Sequence, residues 1–204
     1  STRFAPGERL AVWSPNNPEW VLMEYACALS GLVLVTANPA FQARELAYVL
    51  EQSGSVGLFL VDEFRGNPMG QIGTEVAKSI ASVREVADME TTALYAEGVH
   101  VPSLPEVAPG DAAMIQYTSG TTGFPKGAVL SHRGLVNNAR FYASRCGVTP
   151  ATTWVNIMPM FHTSGCGMIT LGCLQAGCRI VLVSLFDPVI VLDLLEARRA
   201  DRIL

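Results

Sequence analysis

The sequence has 204 residues, of which 50% are hydrophobic and only 16% are charged. Typical soluble domains have a charged share of about 25%, so this composition excludes a disordered chain or a coiled coil. The formal net charge of −4, without a basic stripe, also argues against nucleic-acid binding, although one small anionic ligand is compatible with it. The mean hydropathy of +0.30 predicts strands buried on both faces, or a surface that another part of the protein covers.

No segment of the sequence predicts a membrane span. The most apolar stretch, residues 165–183, is interrupted by Gln175 and Arg179. Its helical part is shorter than the roughly 20 residues that cross a bilayer. The N-terminal residues contain no apolar core of a signal peptide.

The cysteines predict a reducing compartment. The chain has five, an odd number, and none forms a C-x-x-C pair. We therefore expect packed, reduced thiols in a cytoplasmic protein. A metal site built from Cys166, Cys173 and Cys178 is disfavoured, because His162 is the only further ligand nearby.

Apolar runs alternate with helical patterns in the first 90 residues. Asn17 and Pro18 are a typical N-cap and first helical residue, and Gly31 and Gly54 are typical of the left-handed position that ends a helix. The strands are predicted at 9–14, 32–36, 56–61 and 85–87, and the helices at 18–30, 45–53 and 74–83.

The same alternation returns after a proline-containing, irregular crossing at residues 97–110. The strands are predicted at 112–117, 153–158 and 179–184, with a further strand expected at 202–204, and the helices at 134–145, 164–176 and 188–200. Strands alternating with helices of this length predict an α/β fold of parallel sheets with helices on both faces. The chain has no initiator Met and ends where a strand is expected, so we expect a piece of a longer domain.

The strongest chemical signal is the segment at residues 117–127, which reads Tyr-Thr-Ser-Gly-Thr-Thr-Gly-Phe-Pro-Lys-Gly. Its glycines allow backbone N–H groups to approach an anion, its hydroxyls donate to phosphate oxygens, and Lys126 supplies a positive charge. It is not a Walker loop, which needs glycine in place of Pro125 and a hydroxyl in place of Gly127. Residues 128–130 predict extended chain after it rather than a helix. An ordinary surface turn is the alternative interpretation.

This segment closely resembles the phosphate-loop signature of the adenylate-forming superfamily, which includes acyl-CoA synthetases, luciferases and the adenylation domains of peptide synthetases. Other parts of the chain resemble the same family: residues 7–16, the unit from 31 to 50, and the Met-Pro-Met-Phe-His-Thr-Ser-Gly segment at 158–165. Phe186-Asp187-Pro188 followed by an apolar helix resembles ligases that act on fatty or other aliphatic acids.

The resemblance implies a partial large N-terminal domain over residues 1–204, with the first βαβ units at 1–100, the phosphate loop and acyl-pocket units at 111–204, and the C-terminal domain absent. It implies ATP-dependent activation of a carboxylic acid to an acyl-adenylate, followed by thioester formation with coenzyme A. Lys126 and His162 are the implied catalytic residues, and Phe161, His162 and Gly165 the implied substrate contacts. Thr118 is the implied Mg²⁺ ligand. The implied ATP-binding residues are Thr118, Ser119, Gly120, Thr121, Thr122, Gly123 and Lys126.

Single histidines and glycines also have simpler interpretations. His162 alone would more often be a structural residue. His132 is expected to start a helix that Ser131 caps, and His100 is expected to be exposed. Gly165 and Gly167 leave room for an acyl tail in the functional interpretation, whereas Gly172 is expected to serve close helix–sheet packing.

The family's later motifs and its C-terminal catalytic lysine are missing from these residues, so we expect the fragment to be inactive alone. Within the family, the alternatives are an aryl-CoA ligase, an acyl-AMP ligase and a stand-alone adenylation domain. Outside it, they are a non-catalytic nucleotide-binding module and a structural scaffold. We also expect self-association through surface that the rest of the domain normally covers.

Overall fold

The computed structural model describes residues 3–91, 103–118, 125–198 and 200–203, which form two β-sheets flanked by helices. The strands are β1 (Arg9–Trp13), β2 (Val33–Ala37), β3 (Gly57–Leu60), β4 (Glu85–Asp88), β5 (Ala112–Thr118), β6 (Lys126–Ser131), β7 (Thr153–Asn156), β8 (Arg179–Leu182) and β9 (Arg202–Ile203). The helices are α1 (Pro18–Leu29), α2 (Ala43–Ser53), α3 (Met69–Ser79), α4 (His132–Arg145), a π-helix (Ser164–Thr170), α5 (Leu171–Ala176) and α6 (Pro188–Arg198).

The larger sheet has the strand order β4-β3-β1-β2-β5-β6. Every neighbouring pair in it is parallel except β5 and β6, which are antiparallel. The smaller sheet has the order β8-β7-β9 and is parallel throughout. This arrangement confirms the predicted α/β fold.

Local signals set several helix ends as predicted. The side chain of Asn17 accepts a hydrogen bond of 2.8 Å from the amide of Trp20, and Pro18 is the first residue of α1. Ser131 caps α4 by accepting from the amide of Gly134, and His132 is the first residue of that helix. Gly54 ends α2 at φ 63°, a conformation that favours glycine.

Helix α3 differs from its prediction. It covers Met69–Ser79 rather than residues 74–83. A Cβ on Gly73 would collide with Leu60, and one on Gly70 with Asp62, so these glycines allow the helix to lie close to β3 and its following turn. Glycine content disfavours a helix locally, and this tertiary contact overrides the preference.

The segment predicted as one helix over residues 164–176 is a π-helix followed by α5. The predicted strands at 153–158 and 179–184 are shorter than expected and end at Asn156 and Leu182. The polypeptide beyond Asn156 turns to form the segment that carries His162. Among the described residues, no helix is long and apolar enough to cross a bilayer.

The larger sheet accounts for part of the high hydropathy. All five residues of β2 and all four of β3 are buried, and apolar side chains cover both faces of the sheet. One face carries α2 and α3. The opposite face carries α1, α4 and the π-helix, where the candidate site lies.

Glu24 on α1 is a buried acidic residue, only 5% exposed, and neither carboxyl oxygen has a hydrogen-bond partner among the residues that the structure describes. Burial raises the pKa of Glu24 well above its ordinary value, which favours the protonated carboxyl. Tyr25, Cys27 and Cys166 lie close enough for its charge to add to the effect of their own burial. Together these effects raise the pKa of Cys27 to about 12.

Replacing Glu24 with Gln is expected to stabilise the fold increasingly as the pH rises. The unfolded chain releases the Glu24 proton above a pKa of about 4.3 while the folded chain retains it, so the wild-type protein loses stability there. The advantage of Glu24→Gln should grow by up to about 1.4 kcal/mol per pH unit between pH 4.5 and the folded pKa, as measured by urea unfolding. The exposed control Glu51→Gln should show no such slope, and a flat profile for Glu24→Gln would contradict the burial argument.

Candidate functional site

The ends of the predicted phosphate loop meet across a strand pair. Strand β5 ends at Thr118, β6 begins at Lys126, and these two residues are directly opposite each other in the antiparallel register. The chain therefore returns in a hairpin, and β6 confirms the extended segment predicted after the loop. Opposed residues of an antiparallel pair project to the same face, so the exposed residues Thr118 and Lys126 direct their side chains to one face of the strand pair.

This pair lies where ligands commonly bind in parallel sheets. Strands β1, β2 and β5 run parallel, and Thr118 is at the carboxyl end of β5. Crevices outside the carboxyl ends of parallel strands are the usual ligand sites of open α/β sheets. The predicted loop residues Ser119, Gly120, Thr121, Thr122 and Gly123 lie outside the described residues, so their roles stay predictions.

Gln116 connects the loop-bearing strand to the segment that contains His162. It is buried, and it lies two positions before Thr118, on the same face of β5. Its Oε1 accepts a hydrogen bond from the hydroxyl of Thr163, the residue after His162, and its Nε2 donates to Sγ of Cys166 at 3.0 Å. The structure thus brings Thr118, Lys126 and the His162 segment to one face of the sheet.

The ring of His162 is oriented by the residue that begins the π-helix. The amide of Ser164 donates to Nδ1 of His162 at 3.2 Å, and Oγ of Ser164 lies 2.9 Å from the same atom. Because Nδ1 accepts, the neutral ring carries its proton on Nε2. The side chain is exposed, so this N–H is available to a ligand. Phe161 beside it is half-buried.

Gly165 lies against the backbone of the turn that precedes the π-helix. A Cβ at this position would collide with the carbonyl group of Pro159 and would lie 2.7 Å from the carbonyl oxygen of Met158. The space beside Gly165 is therefore filled by backbone, and this geometry does not support the interpretation that the glycine leaves room for an acyl tail. A Cβ on Gly167 would lie 3.0 Å from the side-chain methyl group of Thr163, a tight contact with a side chain rather than a collision with backbone.

The packing of Gly172 also differs in detail from its prediction. A Cβ there would lie 3.3 Å from Cβ of Ala143 on α4. The close contact is thus between two helices rather than between a helix and a sheet.

Gly165→Ala should lower the free energy of unfolding by about 2–3 kcal/mol, because the methyl group meets backbone that cannot rotate away. Denaturant unfolding measures the change. Gly110→Ala is the control, since nothing lies within 4 Å of its Cβ position, and it should change stability by less than about 0.5 kcal/mol. Equal stability of Gly165→Ala and wild type would show that the turn is not tightly packed.

Asn16 holds the His162 segment against the larger sheet. Its Nδ2 donates to the carbonyl oxygens of Met158 at 2.9 Å and Val183 at 3.0 Å, and its Oδ1 accepts from the amide of Met160 at 2.7 Å. The side chain is buried and follows β1, whereas its partners follow strands of the smaller sheet. One amide group therefore joins both sheets.

Asn16→Ala should destabilise the protein by about 2–4 kcal/mol, because it leaves the buried amide of Met160, the buried carbonyl of Val183 and the partly buried carbonyl of Met158 without their partner. Thermal and urea unfolding measure this loss. Asn138→Ala, at an exposed position of α4, provides the matched control and should be nearly neutral. If both variants unfold alike, the link between the sheets is not important for stability.

Sequence reasoning missed Gln116 and Asn16. Both are single polar residues inside apolar or turn segments, and their partners are far away in the chain. A buried polar residue within an otherwise apolar strand, as in Ala-Ala-Met-Ile-Gln-Tyr, is the one signal that could have indicated Gln116.

The comparisons with known proteins agree with this geometry. The profile of the AMP-binding enzyme family matches residues 3–202, almost the whole chain. The chain belongs to the AMP-binding enzyme family.

Curated relatives include named acyl-CoA synthetases and ligases. YngI of Bacillus subtilis (strain 168), which carries an acyl-CoA synthetase name, is 31% identical over 95% of this chain. The human medium-chain acyl-CoA ligase ACSF2, named as mitochondrial, is 34% identical over 90% of the chain. The matched region spans 40% of YngI and 35% of ACSF2, so the chain corresponds to less than half of these proteins.

Solved structures show the same fold. A long-chain-fatty-acid-CoA ligase (FadD1) from Archaeoglobus fulgidus superposes with a TM-score of 0.88 at 25% identity, covering 99% of this chain and 40% of that protein. The inhibitor-bound N-terminal domain of FACL13 from Mycobacterium tuberculosis gives a TM-score of 0.83 at 26% identity, over 96% of this chain and 49% of that one.

Proposed function

We propose that the whole protein activates a carboxylic acid, of the fatty or another aliphatic class, with ATP and then transfers the acyl group to coenzyme A. The observation that carries this proposal is the opposed pair of Thr118 and Lys126, joined through Gln116 to the segment of His162. Membership of the AMP-binding family and the names of the acyl-CoA ligase relatives support it.

The first step brings a carboxylate to a triphosphate, and both are anions. The carboxylate oxygen attacks the α-phosphorus, the bond from that phosphorus to the bridging oxygen breaks, and pyrophosphate leaves with the electron pair. Lys126 would offset the repulsion and stabilise the charge that grows on the leaving group. Thr118 beside it would donate its hydroxyl to a phosphate oxygen.

The described residues are compatible with a Mg²⁺ ion that is bound mainly by the phosphates of ATP. They contain no group of three or more His, Cys, Asp and Glu residues that could hold a metal. Mg²⁺ commonly binds substrate phosphates and water with one or two protein oxygens, and the exposed hydroxyl of Thr118 can be such an oxygen. When bound there, the ion would neutralise phosphate charge.

His162 is proposed to orient the acid. Ser164 occupies Nδ1, so the proton of the neutral ring is on Nε2, and the side chain is exposed. This N–H can therefore donate to a carboxylate or to an α-phosphate oxygen. Phe161 is proposed as an apolar contact for the acyl group. In the second step the thiol sulfur of coenzyme A attacks the acyl carbonyl carbon, AMP leaves with the bonding electrons, and the thiol proton passes to solvent.

Alternatives remain for the acid and the acceptor. An aryl-CoA ligase, an acyl-AMP ligase that does not use coenzyme A, and a non-catalytic nucleotide-binding module would share the features described here. Because this chain corresponds to less than half of its relatives, we propose that the whole protein has a further C-terminal part and that the chain alone is inactive. A cytoplasmic location stays a prediction that rests on the five free cysteines.

Lys126→Ala in the whole protein should reduce ATP–pyrophosphate exchange by about a hundredfold or more, because the leaving group loses its charged partner. Exchange is measured with a panel of aliphatic and aromatic acids, and thioester formation with and without coenzyme A. The preferred acid separates the aliphatic from the aryl ligase, and exchange without thioester formation indicates an acyl-AMP ligase.

Lys78→Ala is the matched control, because Lys78 is an exposed lysine of α3 that pairs with Glu75 on the same helix. It should leave exchange unchanged. Wild-type exchange by Lys126→Ala would refute the role proposed for the loop, and ATP binding without exchange for every acid would favour the non-catalytic module.

A further inference from the structure

Two of the five cysteines lie together at the end of helix α5. The helix is followed by Gly177 at φ 66°, a left-handed conformation that favours glycine. The amide of Cys178 donates to the carbonyl oxygen of Cys173, and the amide of Gly177 donates to that of Leu174, both at 3.0 Å. These two bonds form a Schellman motif, in which the residue after the glycine packs against the residue five positions before it. The motif therefore brings Cys173 and Cys178 together.

The backbone geometry at this helix end allows a bond between the two sulfur atoms. The hydrogen bond between Cys178 and Cys173, combined with standard bond lengths, limits the separation of their Cα atoms to about 7 Å or less. Disulfides join cysteines whose Cα atoms lie up to roughly 7 Å apart. Both side chains pack in one apolar cluster with Trp154 and Ile169, and both thiols are free.

The two thiols differ in their access to solvent. Cys173 is 1% exposed, whereas Cys178 is half-buried. Burial and hydrogen bonding with Cys178 raise the pKa of Cys173, so its reactive thiolate is rare while the pair is reduced. A reagent from solvent therefore reaches Cys178 first, and Cys173 lies next to the sulfur that has reacted.

We propose that Cys173 and Cys178 are a reversible oxidation site, at which a low-molecular-weight disulfide forms an intramolecular disulfide between them. With oxidised glutathione, the thiolate of Cys178 attacks one glutathione sulfur, and a glutathione thiolate leaves with the electrons of the broken S–S bond. The thiolate of Cys173 then attacks the sulfur of Cys178 and displaces the second glutathione. The two cysteine protons pass through solvent to the released thiolates, so the two cysteines are oxidised and the glutathione disulfide is reduced.

This disulfide would close the turn between α5 and β8. The ring would span residues 173–178 and fix the end of a helix that packs against α4, where Gly172 faces Ala143. Disulfides in reducing compartments are usually transient and redox-sensing. A reversible bond is therefore consistent with the reducing compartment that the cysteines predict.

Oxidised glutathione, added to the purified protein without ATP or acid, tests the proposal independently of adenylation. The remaining thiols are alkylated, and tandem mass spectrometry of the tryptic peptide 146–179 locates each modification. The disulfide between Cys173 and Cys178 should exceed the mixed disulfide with glutathione at least about tenfold, because a neighbouring thiol acts at a high effective concentration. Dithiothreitol should restore both thiols.

Three variants separate the two steps. Cys173→Ala should stop the reaction at a mixed disulfide on Cys178. Cys178→Ser should leave Cys173 reduced, because the buried thiol alone is not reached. Cys146→Ser is the matched control, since Cys146 is also half-buried and packs against the same cluster, and it should form the disulfide like wild type. Thermal unfolding of each reduced variant confirms that it is folded.

Three results would overturn the proposal. They are a wild-type protein in which both thiols stay reduced, a wild-type protein that accumulates mixed disulfide on Cys178 as Cys173→Ala does, and a disulfide that includes Cys146. A disulfide between Cys173 and Cys178 in wild type and in Cys146→Ser, replaced by mixed disulfide in Cys173→Ala, supports it.

Discussion

The three hydrogen bonds of Asn16 are the constraint on which the candidate site depends. The turns after β7 and β8 belong to the smaller sheet, whereas Asn16 follows β1 of the larger sheet, and backbone groups of both turns pair with the Asn16 side chain. A single carboxamide offers two donors and an acceptor in one plane and satisfies both turns together. The position of His162 relative to the larger sheet follows from this contact, because Met158 and Met160 are only a few residues before it.

Gln116 supplies the second connection between the two parts of the site. Its amide nitrogen has sulfur partners, Cys166 and Met114, and sulfur is a weak acceptor. Its carbonyl oxygen therefore provides the stronger interaction, with Thr163. With one strong partner and two weak ones, Gln116 adds little stability, but it specifies which segment packs against β5. We infer that it mainly aligns the strand carrying Thr118 with the residues around His162.

Local signals predicted most of the fold, and long-range contacts account for what they missed. Asn17 and Gly54 act within a few residues of their positions, so the sequence indicates their roles directly. The three partners of Asn16 are 142, 144 and 167 residues away, and no local pattern indicates them. The extent of α3 was wrong because close packing, rather than helix propensity, explains Gly73. The phosphate loop was predicted from its composition and resemblance and stays a prediction, whereas the face that Thr118 and Lys126 share required the register of β5 and β6.

The π-helix gives this region room to vary in length by one residue. Each residue of an α-helix rotates the chain by about 100°, whereas the wider turn of a π-helix, with its i→i+5 hydrogen bonds, rotates it less per residue. Leu171 and Cys173 directly follow the wide turn, and both pack into apolar clusters that include residues of distant strands and helices. A homologue lacking one residue between Ser164 and Thr170 would form a regular α-helix there and still direct Leu171 toward the sheet. The wide turn is therefore a place where the chain holds an extra residue without displacing the packing that follows it.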